Sequence, residues 1–424
     1  MAAPALPPSR TRAVGRALRH RNYRLFFLGQ GTSLIGTWIT RVALSWLVYR
    51  LTRSEAQLGV VGFAGQLPTF LLAPLAGVLV DRWNRHRVLV WTQVLSLLQS
   101  VALAVLALTD RITVPQILAL AAFQGLVNAF DTPARQAMVV ELIDDRADLA
   151  NAIALNSTMV NGARLVGPSI AGALIAGFGE GWCFAVDAVS YLAVIASLVA
   201  MRLAPRPRPA RTAHVLADLR AGFRYAGADA PIRALLLLLA MVSLTGVPYM
   251  VLMPVFASDV LGGHAHLLGI LTGAVGAGAV TGALWLAGRP SVRGLARVLP
   301  VAATVFGAGL IGFGLSRWLW LSLPILVATG AGMMMTMAAT NTLVQTLCDE
   351  DKRGRVMSFY TMAFFGMAPF GALLGGGVAA RVGAPATVII GGALTLAAVA
   401  LFLRARPAVT RAVAASLAAR GAAA

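Results

Sequence analysis

The amino-acid sequence predicts an all-α polytopic membrane protein, with twelve transmembrane helices arranged as two pseudo-symmetric six-helix halves. Three observations carry this. Of 424 residues, 58% are hydrophobic and 12% charged, against about 45–50% apolar and about 25% charged in a soluble domain. The apolar residues fall into twelve runs, each near the roughly 20 residues a helix needs to cross hydrocarbon. The basic residues cluster between the runs, mostly on one side.

In chain order the runs are 23–49, 57–80, 87–109, 113–138, 150–177, 181–202, 232–256, 267–288, 297–315, 318–346, 355–380 and 385–403. A tail, 1–22, precedes the first. That first run is too long for a cleavable signal, carries Arg41 and lacks a small-residue cleavage site. The N-terminal half is 23–203, and a linker, 204–231, follows it. The linker opens with Pro205-Arg206-Pro207-Arg208-Pro209, which excludes helix, then turns amphipathic through Leu216, Leu219, Phe223 and Tyr225. The C-terminal half is 232–404, with a tail at 405–424. The halves echo each other. Leu58-Gly59 opens span 2 and Leu268-Gly269 opens span 8, and Gly/Pro pairs mark spans 5 and 11. Paired six-helix halves with a site between them are the mark of a rocker-type secondary transporter.

Lys and Arg fix the orientation. With the N-terminus inside, the cytoplasmic side holds 28 of the 35 basic residues. The outer side holds five, Arg50, Arg53, Arg111, Arg317 and Arg381, while Arg41 and Arg164 lie within spans. The positive-inside rule then places both termini in the cytoplasm. The same asymmetry accounts for the net charge of +19 without nucleic acid as a partner.

The residues resemble the major facilitator superfamily over nearly the whole chain. Gly77-x-Leu79-x-Asp81-Arg82-x-x-Arg85-x-Arg87 resembles its loop 2–3 signature, with Asn84 where Gly is usual. Asn also tolerates a left-handed turn, so the turn is expected to persist. Gly162, Gly167-Pro168 and Gly172 resemble the antiporter motif of proton-coupled exporters. Gly36-Thr37-Trp38, Asp131-x-Pro133-x-Arg135, Arg164-x-x-Gly167-Pro168 and Arg353-Gly354-Arg355 are similar to the branch of enterobactin-type siderophore exporters and macrolide pumps. One departure stands out. Drug antiporters often carry Arg on span 4, and that position is Ala121, so proton movement would fall to another group such as Arg135 or Arg164. The resemblance implies export of a drug, macrolide-like antibiotic or siderophore by proton antiport, with the protein working as a monomer in the bilayer. An uptake carrier, a lysophospholipid flippase or a non-transporting receptor on the same fold is the alternative.

Several residues are candidates for the mechanism. Asp81, Arg85 and Asp131 are expected to form a carboxylate–Arg–carboxylate latch at the inner face. The resemblance implies that Asp81 also faces the start of span 11, whose helix-end amides favour an anion. Arg82 and Arg87 serve topology or the same latch. Asp131 and Arg135 are one turn apart, so Arg135 either pairs locally or faces substrate. Arg41 lies deep in span 1 and needs a partner, with Asp187 a candidate by depth, or contacts substrate or protons, or snorkels outward. Arg164 shares its helix face with Gly167-Pro168 and either anchors the interface between halves or reads an anionic substrate. Gln30, Trp38, Tyr249 and Asn341 are cavity candidates. No enzyme signature, phosphate-binding loop, cofactor motif or metal-ligand set is present. Cys183 and Cys348 form no disulfide framework, and His264 and His266 lack a third ligand.

Overall fold

The structure is a computed structural model that describes residues 15–143, 145–203, 227–289, 291–349 and 352–422. Residues 204–226 of the linker lie outside the described residues, and with them the expected surface helix.

Helices form where the apolar runs predict them. The N-terminal half holds α1 (Arg21–Thr52), α2 (Glu55–Arg82), α3 (Arg85–Leu108), α4 (Val114–Glu141), α5 (Arg146–Phe178) and α6 (Glu180–Val199). The C-terminal half holds α7 (Ala230–Val260), α8 (Ala265–Ala287), α9 (Leu295–Leu315), α10 (Leu319–Leu347), α11 and α12 (Ala384–Ala422). α11 runs as Arg353–Thr361, a π turn Met362–Gly366, and Ala368–Val382. Among the described residues, nine of these helices are long and apolar enough to cross a membrane. α2 makes a tenth when its two parts, bent by 57°, count as one span. α1 and α4 are long enough but more polar, because they carry Arg41, Gln124, Asn128, Asp131 and Arg135.

Caps set the short connections. Ser54 accepts from the Gln57 N–H at the start of α2, and Asp229 accepts from the Ile232 N–H at the start of α7. Asn84 corrects an expectation. Its φ is −74°, and its side chain caps α3 by accepting from the Arg87 N–H, so the loop needs no left-handed residue there.

Two helices are broken at prolines. α7 contains a π turn at Val242–Gly246 and a short 3-10 turn at Val247–Met250. Pro248 has no N–H, so the Leu244 carbonyl loses its helical donor. Gly371 of α11 packs on that carbonyl, where a Cβ would sit 2.7 Å from it. The hydroxyl of Ser243 donates to the Phe364 carbonyl inside the α11 π turn at 2.5 Å. Freed backbone groups are thus met by the neighbouring helix, as hydrocarbon demands. The expected tail at 405–424 is helical, since α12 continues to Ala422. Val409 and Val413 are buried, and the Ser416 hydroxyl donates to the Thr346 carbonyl of α10 at 2.8 Å.

The halves meet chiefly along two helix pairs. We call the end bearing Arg53 and Asp259 the far face and the end bearing Asp81 and Glu141 the near face. At the far end of α2, a Cβ on Gly59 would sit 2.6 Å from the Ala372 carbonyl of α11. At the far end of α5, a Cβ on Gly172 would sit 3.1 Å from Gly269 of α8. Gly77 of α2 and Gly354 of α11 toward the near face, Gly162 midway along α5, and Gly177 and Gly377 at the far ends have nothing within 4 Å of an added Cβ. Where α2 meets α11 and α5 meets α8 toward the far face, the helices are pressed together backbone to backbone, as small residues permit.

Candidate functional site

The site is built from the N-terminal half upward. On α4, Asp131 accepts from the Thr92 hydroxyl at 3.0 Å and the Gln93 amide at 2.7 Å, both on α3. Arg135 Nε stands 3.4 Å from Asp131 Oδ2, an ion pair without hydrogen-bond geometry. Gln124 extends the polar string by donating to Ser96 and to Asn128. On α6, Asp187 is 1% exposed and accepts from the Thr40 hydroxyl at 2.8 Å, Ser100 at 3.0 Å and Ser190 at 3.3 Å. Gly36 makes this closeness possible, since a Cβ there would lie 2.5 Å from Asp187 Oδ1.

The expected Arg41–Asp187 pair is therefore corrected. Thr40 and Arg41 are adjacent, about 100° apart around the helix. Thr40 reaches α6, and Arg41 points elsewhere. Its guanidinium lies 5.0 Å from the centroid of Trp38, and that of Arg164 lies 5.6 Å from the same ring. Arg41 is an exposed side chain deep in α1, so it faces open space. Arg164, Tyr191 and Arg135 are within its electrostatic range. Across the interface, Tyr249 of α7 is 1% exposed, packs edge-on against Phe306 and lies within electrostatic range of Arg164.

The antiporter-like glycines place these groups. A Cβ on Gly167 would sit 2.5 Å from Trp38 Cβ, so α5 lies flat on α1 at this level. Pro168 removes the donor to the Arg164 carbonyl, and Gly276 of α8 packs there, its Cβ position 3.0 Å away. Gly162 contributes no contact. Ala121 is explained as well. A Cβ on Gly65 of α2 would lie 3.7 Å from Ala121 Cβ, and the Thr69 hydroxyl donates to the Gly125 carbonyl at 2.7 Å. α2 covers the place an arginine would need.

The near-face latch is corrected in its third member. Arg85 bridges Asp81, at 2.7 Å, and Glu141, at 2.5 Å, rather than Asp131. Asp131 is ten residues deeper along α4, about 15 Å by helical rise. Arg85 is partly buried and is flanked by both carboxylates. Asp81 is 61% exposed, so its carboxylate is open to solvent rather than seated at the start of α11. Arg82 and Arg87 are exposed beside it. Glu141 escaped the sequence reading because it lay beyond the predicted end of span 4.

Two cavity candidates fall elsewhere. Gln30 is 4% exposed and is packed, not presented to open space. Asn341 accepts from Gln345 at 2.6 Å near the near end of α10, where Thr342, Gln345, Thr346 and Arg353 line a shallow cleft. At the far face the halves are joined by Tyr49 donating to Asp259 at 2.5 Å and by Arg53 reaching Ser258 and Asp259 at 3.0 and 3.3 Å.

The comparisons with known proteins fit this arrangement. The family model for transmembrane secretion effectors matches residues 15–420. The chain is 29% identical over 371 residues to the multidrug efflux pump Tap of Mycolicibacterium fortuitum, covering 84% of this chain and 89% of that one. It is 25% identical over 354 residues to the staphyloferrin A transporter of Staphylococcus aureus (strain NCTC 8325 / PS 47), covering 83% and 88%. It is 26% identical over 364 residues to the enterobactin exporter of Escherichia coli O6:K15:H31 (strain 536 / UPEC), covering 85% and 86%. In fold it is similar to a POT family transporter in complex with 5-aminolevulinic acid, at TM-score 0.74 and 12% identity over 92% of this chain and 97% of that one. A bacterial homolog of the human lysosomal transporter Spinster, in an inward-facing and unoccupied conformation, gives TM-score 0.65 and 16% identity over 94% and 98%. With the family matched almost end to end and the two-half helical architecture on the page, the chain belongs to the transmembrane secretion effectors of the major facilitator superfamily.

Proposed function

We propose that the protein exports a small organic molecule across a bacterial cytoplasmic membrane by proton antiport, through rocking of its two halves. The observation that carries this is the difference between the two faces. At the far face the halves are joined by Tyr49 and Arg53 on Asp259 and by close glycine packing, whereas the near-face bridge of Asp81, Arg85 and Glu141 stays within one half. With the near face cytoplasmic, as the basic asymmetry supports, this is the state that receives substrate from inside. The names of the relatives supply the direction, since an efflux pump and a siderophore exporter are among them.

The proton carrier in this reading is a carboxylate. Arginine keeps its proton in proteins, so neither Arg135 nor Arg164 serves. Asp131 is already engaged by Arg135, Thr92 and Gln93. Asp187 meets only hydroxyls, which donate to a carboxylate and accept from a carboxylic acid, so its cage suits both protonation states. Asp81, Arg85 and Glu141 act as a latch that closes on the other half when the near face shuts.

The test is expression in a pump-deficient host, with substrate-induced proton flux read in everted vesicles. Unchanged drug sensitivity, unchanged siderophore accumulation and no flux would together sink the export reading. Asp187→Asn should abolish proton-driven transport yet keep substrate exchange down its own gradient. Loss of both would remove Asp187 from the coupling role.

A further inference from the structure

We propose that Arg41, Arg164 and Tyr249 form a recognition site for an organic anion, a carboxylate-bearing substrate held between the two halves. This rests on the transport reading for its purpose, though not for its chemistry.

The argument begins with charge. Asp131 faces Arg135, and Asp187 is occupied by three hydroxyls. Arg41 and Arg164 have no acidic partner among the described residues. The opposite half offers none at this depth, since α8 (Ala265–Ala287) and α10 (Leu319–Leu347) contain no Asp or Glu. α7 has none between Arg233 and Asp259. Two deep arginines with no counter-ion are unfavourable in a membrane protein unless water or a ligand supplies one.

Trp38 arranges them. A guanidinium stacked on an aromatic ring is held by its flat face, which leaves its in-plane N–H donors outward. Both guanidinium groups lie over the Trp38 ring, and the backbone contact of Gly167 with Trp38 Cβ fixes the ring's root. Trp38 is thus a positioning residue. A carboxylate is the complement of such a fork, because it accepts two parallel N–H bonds.

Two orphaned buried atoms mark the same place. Arg164 Nε has no hydrogen-bond partner. The Tyr249 hydroxyl is buried in a side chain 1% exposed and also has none, while standing within electrostatic range of Arg164. Buried polar groups are normally satisfied, so two exceptions within electrostatic range of each other, one from each half, call for an explanation. An anion that takes the arginine donors from α1 and α5 and the phenol from α7 satisfies both and ties the halves together.

The test uses two dyes with one xanthene skeleton and opposite charge, fluorescein and rhodamine 6G. Each is titrated by fluorescence polarisation against the full chain in phosphatidylcholine nanodiscs, where no anionic headgroup competes. Fluorescein should bind about tenfold tighter or better, with affinity falling as salt rises. Arg41→Gln and Arg164→Gln should each weaken fluorescein by roughly tenfold and leave rhodamine 6G unchanged, which also reports that the variants are folded. Arg164→Lys should restore part of the loss. No fluorescein binding, equal or tighter rhodamine 6G binding, or fluorescein affinity indifferent to both Gln variants would overturn the assignment. Binding is read without transport, so the two readings fail separately. A chain that selects fluorescein yet moves nothing keeps this site and loses export, and one that exports but prefers rhodamine 6G does the reverse.

Discussion

The two halves share an architecture and differ in what they bury. Among the described residues, the N-terminal half buries Asp131, Glu180, Asp187, Gln93 and Gln99, and joins several of them across α1, α3, α4 and α6. The C-terminal half buries only hydroxyls of this kind, and most serve their own helix. Thr272, Thr329 and Thr336 each donate to the carbonyl four residues back. Such back-bonding satisfies a hydroxyl without linking helices. The difference teaches that pseudo-symmetry here is one of packing. One half buries the carboxylates, and the other supplies glycine surfaces, broken helices and the phenols of Tyr249 and Tyr360.

Substitutions can break that contrast or sharpen it. The largest effect is expected at Asp187. Asp187→Ala removes the carboxylate on which Thr40, Ser100 and Ser190 converge and should cut transport by more than about tenfold, while Thr336→Val should stay within about twofold. Equal losses in the vesicle assay would end the contrast. Next comes Ala121→Leu, which drives a branched side chain into Gly65 and should destabilise by about 1–3 kcal/mol, read as a lower unfolding temperature in detergent. A gain in stability there would mean α2 does not press on α4. Glu141→Gln removes one arm of the Arg85 bridge and should slow transport severalfold at normal membrane levels, a change of about 1 kcal/mol. If Asp131→Asn mimicked it while Glu141→Gln were silent, the latch would run through Asp131 after all. The smallest effect belongs to the far face. Arg53 and Asp259 are 65% and 48% exposed, so Arg53→Ala should shift stability by only about 0.2–1 kcal/mol, and less at high salt.

Much of this was legible in the sequence, and the misses share a cause. Apolar run length located the helices within a few residues, as with 87–109 against Arg85–Leu108 and 267–288 against Ala265–Ala287. Depth was legible too, since Arg41, Arg164 and Asp187 all lie well inside their helices. Azimuth was not. Arg41 and Asp187 are matched in depth, yet Thr40 is the residue that turns toward α6. The partner of Arg85 was misplaced because hydropathy blurred the end of α4, hiding Glu141. The continuation of α12 was hidden for the same reason, since its burial comes from α10 and leaves no apolar run. α1 and α4 are the less apolar spans because they carry Arg41, Gln124, Asn128, Asp131 and Arg135, so the polarity that weakens the span signal is also what singles these helices out.

The glycine contact of α5 with α8 has a mechanical consequence. Gly172 presses on α8 close to the far end of a helix that reaches back to Arg146. That arm is about 39 Å long by helical rise. Treated as a stiff lever on a fulcrum at Gly172, a rotation of about 10° sweeps its other end through about 7 Å, enough to admit or expel a column of water two molecules wide. The short arm from Gly172 to Phe178, about 9 Å by helical rise, moves about 1.6 Å in the same turn, so a far-face displacement is multiplied about fourfold, and the thickness of one missing methyl group sets how far the protein can swing.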